Sequence, residues 1–130
     1  MTNNDQMNTK KDISKWFDPR HRHVGTWAFI LNRITALGLV IYLYIHLIVL
    51  STLAQGPEAF DSFIEFAHQP WVVFGELLVV VAAIYHGLNG IRVGLTSFGI
   101  GVPNQKQLFY AVLVVAVVTS IFFAVRMFTA

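Results

Sequence analysis

Three long apolar segments constrain the fold of this chain more than any other feature of its sequence. They run from about Trp27 to Leu53, from about Trp71 to Phe98 and from about Leu108 to Phe128. Each is long enough to cross the hydrocarbon core of a bilayer, which is about 30 Å thick. Because a backbone in lipid must satisfy its own hydrogen bonds, a single uninterrupted span can do so only as a helix. The segments therefore predict an all-α membrane protein with three transmembrane helices.

The composition supports this fold class and excludes several kinds of site. The chain of 130 residues is 55% hydrophobic and 12% charged, whereas soluble domains are about 25% charged. It has no Cys, which excludes disulfides, thiolate-bound iron–sulfur clusters and covalently attached c-type haem. The basic residues are concentrated beside the membrane, so nucleic-acid binding is not indicated.

The distribution of Lys and Arg predicts the orientation. Residues 1–26 form a polar segment without the pattern of a cleaved signal peptide, and we expect them to remain as a cytoplasmic basic segment before a membrane-anchor domain at 27–130. This segment holds five of the nine Lys and Arg residues, at positions 10, 11, 15, 20 and 22. The positive-inside rule then places the N-terminus and the second loop in the cytoplasm. In the first loop, the residues after Gly56-Pro57 could form a short amphipathic helix in the membrane interface.

A polar cluster interrupts the second apolar segment. The stretch Tyr85-His86-Gly87-Leu88-Asn89-Gly90-Ile91-Arg92 places an imidazole, an amide and a guanidinium where each is costly, about 2.5–3.5 kcal/mol for an Arg at a helix centre. His86 lies roughly 12 residues from the end of the segment, about 18 Å deep and hence near the middle of the bilayer. A neutral imidazole in a dry apolar site is a standard haem ligand. The structural alternative is an interhelical hydrogen bond.

Two guanidinium groups are expected at a similar depth. Arg92 is about 9 Å nearer the cytoplasm than His86, and Arg33 lies about six residues inside the first segment. Two buried cations with few nearby acids need an acceptor, such as a haem propionate or a quinone carbonyl, and the Arg fork suits carboxylates. The alternative is that both side chains reach back to the lipid headgroups.

The positions of the other histidines predict that the chain works together with another polypeptide. His46 lies about 28 Å from the inner end of the first segment, roughly 10 Å displaced from His86, so the two cannot easily ligate one iron. The third segment has no His, so a second ligand for haem on His86 must come from another polypeptide. His46, with Tyr42 and Thr35 on its own face, could ligate a second, outer haem or could form an interhelical hydrogen bond.

Two motifs resemble those of a known family. Ile30-Leu31-Asn32-Arg33-Ile34-Thr35 and Tyr85-His86-x-x-x-Gly90-Ile91-Arg92 are similar to the cytochrome b556 membrane-anchor subunit of succinate dehydrogenase, and the agreement covers nearly the whole chain. The resemblance implies that His86 is an axial ligand of haem b and that Arg33 lies near the propionates and the quinone. Further contacts are then expected from Asn32 and Arg92 to the cofactor and from Phe29 and Ile30 to quinone. The family usually has Ser at the position of Phe29 and His at that of Asn32.

The resemblance also implies partners and a function. The chain would anchor a flavoprotein and an iron–sulfur subunit to the bacterial cytoplasmic membrane, share haem b with a second anchor subunit, and help reduce quinone, with menaquinone favoured. No dicarboxylate chemistry would occur in this chain. The rival hypothesis is a non-redox structural or transport subunit in which the buried His and Arg residues only hold helices together.

Overall fold

The computed structural model describes residues 24–129, and these residues form four α-helices without any strand. Helix α1 spans Val24–Ser51 and continues as a 3₁₀ turn over Thr52–Gln55. The short helix α2 spans Pro57–Ala67, and α3 spans Pro70–Ser97. A 3₁₀ turn at Val102–Asn104 leads into α4, Gln105–Thr129. The three long helices are each long and apolar enough to cross a membrane, which confirms the predicted fold class.

Glycine and proline set the boundaries of the helices. Gly56 has φ +113°, which an L-residue rarely adopts, and Pro57 follows it at the start of α2. Pro70 occupies the first turn of α3, as expected. At the other end of α3, the amides of Gly99 and Ile100 donate to the carbonyls of Thr96 and Leu95. With Gly99 at φ +81°, this is a Schellman motif, and it reverses the chain into α4.

Helix α3 lies between the other two long helices. It packs along both α1 and α4, whereas α1 and α4 share few contacts. The fully buried residues are Ala28 of α1, Tyr85 and Asn89 of α3, and Phe109 and Ala116 of α4. Most of them lie towards the end of the bundle at which α3 turns into α4, which we call the turn end. We call the opposite end, which carries α2, the α2 end.

The α2 end is loosely packed within the chain. Almost every residue of α1 from Val40 to Leu50 is exposed, including Tyr44 and Ile48. Lipid is as apolar as these side chains, so their exposure carries no hydrophobic penalty in a bilayer. The basic segment predicted before the first helix falls largely on residues 1–23, which lie outside the described residues. The orientation of the termini stays a prediction.

Candidate functional site

A row of polar contacts joins α1 and α3 at the turn end. On α1 the participating positions are Ala28, Asn32 and Thr35, which recur at helical spacing on one face. On α3 they are Tyr85, His86 and Asn89. We call these six residues the polar seam. Since α1 and α3 are both long and apolar enough to span a membrane, the seam places hydrogen bonds in apolar surroundings. A polar group there that lost its partner would carry a larger free-energy penalty than one in water.

The seam fixes the tautomer of His86. The Nδ1 atom of this half-buried imidazole lies 3.3 Å from the carbonyl oxygen of Asn32 and 3.4 Å from the Oγ1 atom of Thr35. The Thr35 hydroxyl donates its own proton to the carbonyl of Leu31 at 2.8 Å, so towards His86 its oxygen can only accept. With two acceptors beside it, Nδ1 carries the ring proton. The lone pair is therefore on Nε2, for which residues 24–129 offer no hydrogen-bond partner.

Asn89 connects the seam to Arg92. Its side chain is only 1% exposed, and its Nδ2 atom donates to Oδ1 of Asn32 over 3.1 Å. The Oδ1 atom of Asn89 in turn accepts from Nε of Arg92 over 2.9 Å. The amide is thus satisfied on both sides in a place where water does not reach. One turn earlier on the same helix, the Tyr85 hydroxyl donates to the carbonyl of Ala28 over 3.3 Å.

The two guanidinium groups lie in different surroundings. Arg92 is half-buried, and its Cζ atom lies 5.7 Å from the ring centroid of Phe109 on α4. Arg33 is exposed and covers the ring of Phe29, one turn earlier on its own helix, at 4.8 Å. Successive residues on a helix differ by about 100° in direction. Asn32 faces α3, so the next residue, Arg33, points away from α3. Within residues 24–129 the Arg33 side chain makes no hydrogen bond to a residue of the seam.

The residues expected at the quinone lie on the outside of α1. Phe29 is 58% exposed and Ile30 is half-buried. Together with Arg33 they form a surface that combines an aromatic ring, an aliphatic side chain and a cation. We call Phe29, Ile30 and Arg33 the outer patch. The outer patch lies next to the seam along α1, but its side chains point away from α3.

His46 lies at the α2 end, far from the seam. Its Nδ1 atom is 3.5 Å from the hydroxyl of Tyr42, and the two rings stack with centroids 5.4 Å apart. Tyr42, expected beside His46, is its neighbour, whereas Thr35 contacts His86. Both rings line an apolar cavity of about 670 Å³ between α1, α2 and α3, which also includes Glu76. The expected interhelical hydrogen bond of His46 is not made within residues 24–129.

Four residues of the seam were not among the predicted site residues: Ala28, Thr35, Tyr85 and Asn89. A signal was present in the sequence, since the polar residues on one helix, Asn32 and Thr35, and on the other, Tyr85, Asn89 and Arg92, are spaced three or four residues apart. That periodicity marks two facing polar stripes in otherwise apolar helices. Among the described residues, no group of three or more His, Asp or Glu side chains could hold a metal ion. A haem bound here would take one ligand, His86, from this part of the chain.

The sequence is similar to proteins of one family. Residues 1–123 match the model of the succinate dehydrogenase/fumarate reductase transmembrane subunit family. A succinate dehydrogenase hydrophobic membrane anchor subunit of Halobacterium salinarum is 34% identical over 104 residues, which are 79% of this chain and 78% of the relative. The protein of the same name from Thermoplasma acidophilum is 32% identical over 97 residues, 71% of this chain and 79% of the relative. The succinate dehydrogenase 2 membrane subunit SdhC of Mycobacterium tuberculosis is 29% identical over 84 residues, 65% of this chain and 62% of the relative.

These similarities agree with the three spanning helices and with the two motifs that suggested the family. The match includes both Ile30–Thr35 and Tyr85–Arg92, which contribute the two sides of the polar seam. The chain is a multi-pass membrane protein and belongs to the succinate dehydrogenase/fumarate reductase transmembrane subunit family.

Proposed function

We propose that this chain is the membrane-anchor subunit of a succinate:quinone oxidoreductase that supplies His86 as an axial ligand of haem b and forms part of the quinone site. The relatives are named as membrane subunits of succinate dehydrogenase. The single observation that supports a haem-binding role most strongly is the contact of His86 Nδ1 with the Asn32 carbonyl oxygen at 3.3 Å, while Nε2 has no hydrogen-bond partner among residues 24–129.

The polar seam prepares His86 for ligation. Histidines that bind metals commonly donate their second N–H to a carbonyl or carboxylate, which fixes the ring orientation and raises the basicity of the ligating nitrogen. Here the carbonyl of Asn32 and the hydroxyl of Thr35 serve Nδ1, so that Nε2 is the ligating atom. Bound haem b would supply a one-electron redox centre near the quinone.

In this proposal a second polypeptide completes the iron coordination. The other histidines among the described residues are His46 and His68, and both belong to the α2 end. A second anchor subunit would therefore supply the other iron ligand. The iron–sulfur and flavoprotein subunits would attach at the turn end, where the outer patch faces away from this chain.

The outer patch suits a quinone. The guanidinium of Arg33 can donate to a quinone carbonyl, and the faces of Phe29 and Ile30 can contact its ring and isoprenoid tail. Arg33 is exposed and is not paired with any acid among residues 24–129, so it is free to bind an acceptor from a partner or a substrate. Menaquinone is the quinone that the resemblance favours. We assign Asn32 and Arg92 a supporting role, because Asn89 links both to the seam.

His46 is the candidate ligand of a second, outer haem. Its Nδ1 can donate to the Tyr42 hydroxyl, an arrangement like that of His86, and Nε2 is then available beside the apolar cavity at the α2 end. The two sites differ in depth, so one haem at each would form a path for electrons across the membrane. The haem content per flavin distinguishes one haem from two.

The decisive experiment is a His86→Ala substitution in the assembled complex. We expect the reduced haem b band at this site to disappear, because the iron loses one of its two axial ligands. Haem is quantified as pyridine haemochrome relative to covalently or tightly bound flavin, which counts assembled complexes independently of activity. A residual haem of about half the original content would assign the remainder to His46, and a His46→Ala complex should then lose the complementary half.

His68→Ala is the matched control, since this exposed imidazole bonds only to the carbonyl of Ile64 in its own helix. Its haem content should equal that of the unsubstituted complex. A full haem spectrum in the His86→Ala complex would contradict the proposal. It would favour the rival hypothesis, in which the seam only holds α1 against α3.

A further inference from the structure

A second cavity lies at the turn end, apart from the outer patch. It measures about 650 Å³ and is formed by the start of α1, the end of α3 and the turn into α4. Its lining includes Val24, Gly25, Ala28, Arg92, Lys106 and Phe109. We call it the turn-end pocket. The side chains of Asn104, Gln105 and Gln107 add amide groups to its rim.

The turn-end pocket is positively charged. Arg92 and Lys106 line it, and no carboxylate is among its lining residues. The acids of the described part of the chain, Glu58, Asp61, Glu65 and Glu76, all belong to α2 or the first two turns of α3. They are therefore at the α2 end, so that nothing within residues 24–129 neutralises the two cations.

Arg92 is oriented towards this pocket by contacts on two sides. Asn89 accepts from its Nε atom over 2.9 Å, and the guanidinium carbon lies 5.7 Å from the ring centroid of Phe109, itself a lining residue. The terminal guanidinium nitrogens make no hydrogen bond to residues 24–129. A fixed guanidinium with free terminal N–H groups in a concave site is well suited to bind an anion with oxygen atoms.

The depth of the pocket matches the headgroup region of a bilayer. Arg92 is five residues from the end of α3 at Ser97, about 8 Å along the axis, and Lys106 belongs to the first turn of α4. Basic pockets between transmembrane helices bind anionic lipid headgroups. Val24, Ala28 and Phe109 give the pocket apolar walls beside the cations.

We infer that the turn-end pocket binds the phosphate of an anionic phospholipid, with Arg92 and Lys106 as its ligands. This inference goes beyond the proposed function, because neither His86 nor the outer patch lines the pocket, and its test rests first on Lys106, which has no part in that function. The lipid would fill the space between the start of α1 and the turn into α4, two elements that barely touch one another. It would thereby tie the three long helices together at one membrane surface.

The test uses the assembled complex in a neutral detergent and native mass spectrometry to count retained lipid. Dioleoylphosphatidylglycerol is titrated against dioleoylphosphatidylcholine, which has the same tails without a net charge. We expect the unsubstituted complex to retain phosphatidylglycerol preferentially. Lys106→Gln should weaken this binding about fivefold, the usual effect of one cation near a membrane surface. Lys106 is exposed, so its substitution should not disturb folding.

Arg126→Gln is the matched control, because it removes one cation from the last turn of α4 at the other end of the bundle. This variant should retain phosphatidylglycerol like the unsubstituted complex, and Arg92→Gln should lose at least as much as Lys106→Gln. Equal binding by the Lys106→Gln and unsubstituted complexes overturns the inference, as does equal retention of phosphatidylcholine. If inorganic phosphate displaces the lipid at equal concentration, the pocket recognises the free anion and the lipid assignment is wrong.

Discussion

Replacing Asn89 with Ala should lower the free energy of unfolding by about 2 kcal/mol, part of it from the packing of α1 against α3. The side chain loses one neutral interhelical bond, to Asn32, which is worth about 0.6 kcal/mol on average in membrane proteins. It also loses a charge-assisted bond from Arg92, of the kind worth about 1.5–3 kcal/mol. Because Arg92 lies near the membrane surface and can regain water, we expect the lower part of that range.

A double-mutant cycle with Asn32→Ala isolates the bond between the two amides. The free energy of unfolding of the assembled complex is measured by titration with sodium dodecyl sulfate in mixed micelles, for both single variants and the double variant. The double variant should lose about 0.6–1.7 kcal/mol less than the sum of the single losses. Ser97→Ala serves as the control, since the exposed Ser97 hydroxyl bonds only to the carbonyl of Val93 in its own helix, and it should change stability by less than about 0.5 kcal/mol.

Two outcomes would refute this reasoning. Losses that add within about 0.3 kcal/mol would show that the amides of Asn32 and Asn89 do not interact. A loss for Asn89→Ala no larger than that for Ser97→Ala would show that the buried amide is not holding the helices. If haem b binds as proposed, its content gives an independent check, because His86 contacts the backbone carbonyl of Asn32 and not its side chain. Asn32→Ala should therefore keep its haem while it loses stability.

Two further predictions concern the outer patch and a turn. Arg33→Lys should lower the rate of quinone reduction by about tenfold or more, because an ammonium lacks the fork of a guanidinium. The rate of succinate oxidation with a soluble dye as acceptor should stay unchanged. A loss of both rates would show instead that the complex fails to assemble. Gly56→Ala should lower the free energy of unfolding by about 1–3 kcal/mol in the same detergent titration, because φ is +113° at this position. Gly94→Ala is the control, since Gly94 lies in a helix with open space around its Cα, and this change should leave the stability unchanged or raise it. Equal effects of the two substitutions would contradict the backbone strain at Gly56.

The spans and their breaks could be predicted from the sequence alone. The expected segments at about 27–53, 71–98 and 108–128 agree with α1, α3 and α4 to within three residues at each end. The short helix in the first loop was also expected, and it forms as α2. The positions of the spans follow from local hydropathy, and the breaks between them follow from Gly56-Pro57 and Pro70. Both signals depend only on residues that are close together in the sequence.

The relation between the two arginines could not be predicted in the same way. The rise per residue gives the depth of Arg33 and Arg92, and on depth alone they were expected to form one site. Their directions depend on which face of α1 packs against α3, which is a property of two helices together. The structure directs Asn32 and Thr35 towards α3, leaving Arg33 outside, and it directs Arg92 towards α4. The bond between Asn89 and Asn32 could not be predicted for the same reason: the sequence shows that the amide of Asn89 lies in an apolar segment, but not which residue of the other helix it contacts.

The uneven packing of the bundle has a consequence for how the enzyme complex is built. The turn end is held by the polar seam within this chain, whereas the half of α1 at the α2 end is largely exposed and can offer its apolar side chains to lipid. In that half Tyr42 and His46 are both exposed and contact one another on their own helix, so an unassembled copy need not bury these polar groups. Such a copy should persist in the bilayer as a partly packed intermediate. Recruitment of the second anchor subunit would then complete an existing scaffold, and haem capture could wait until both axial ligands are present.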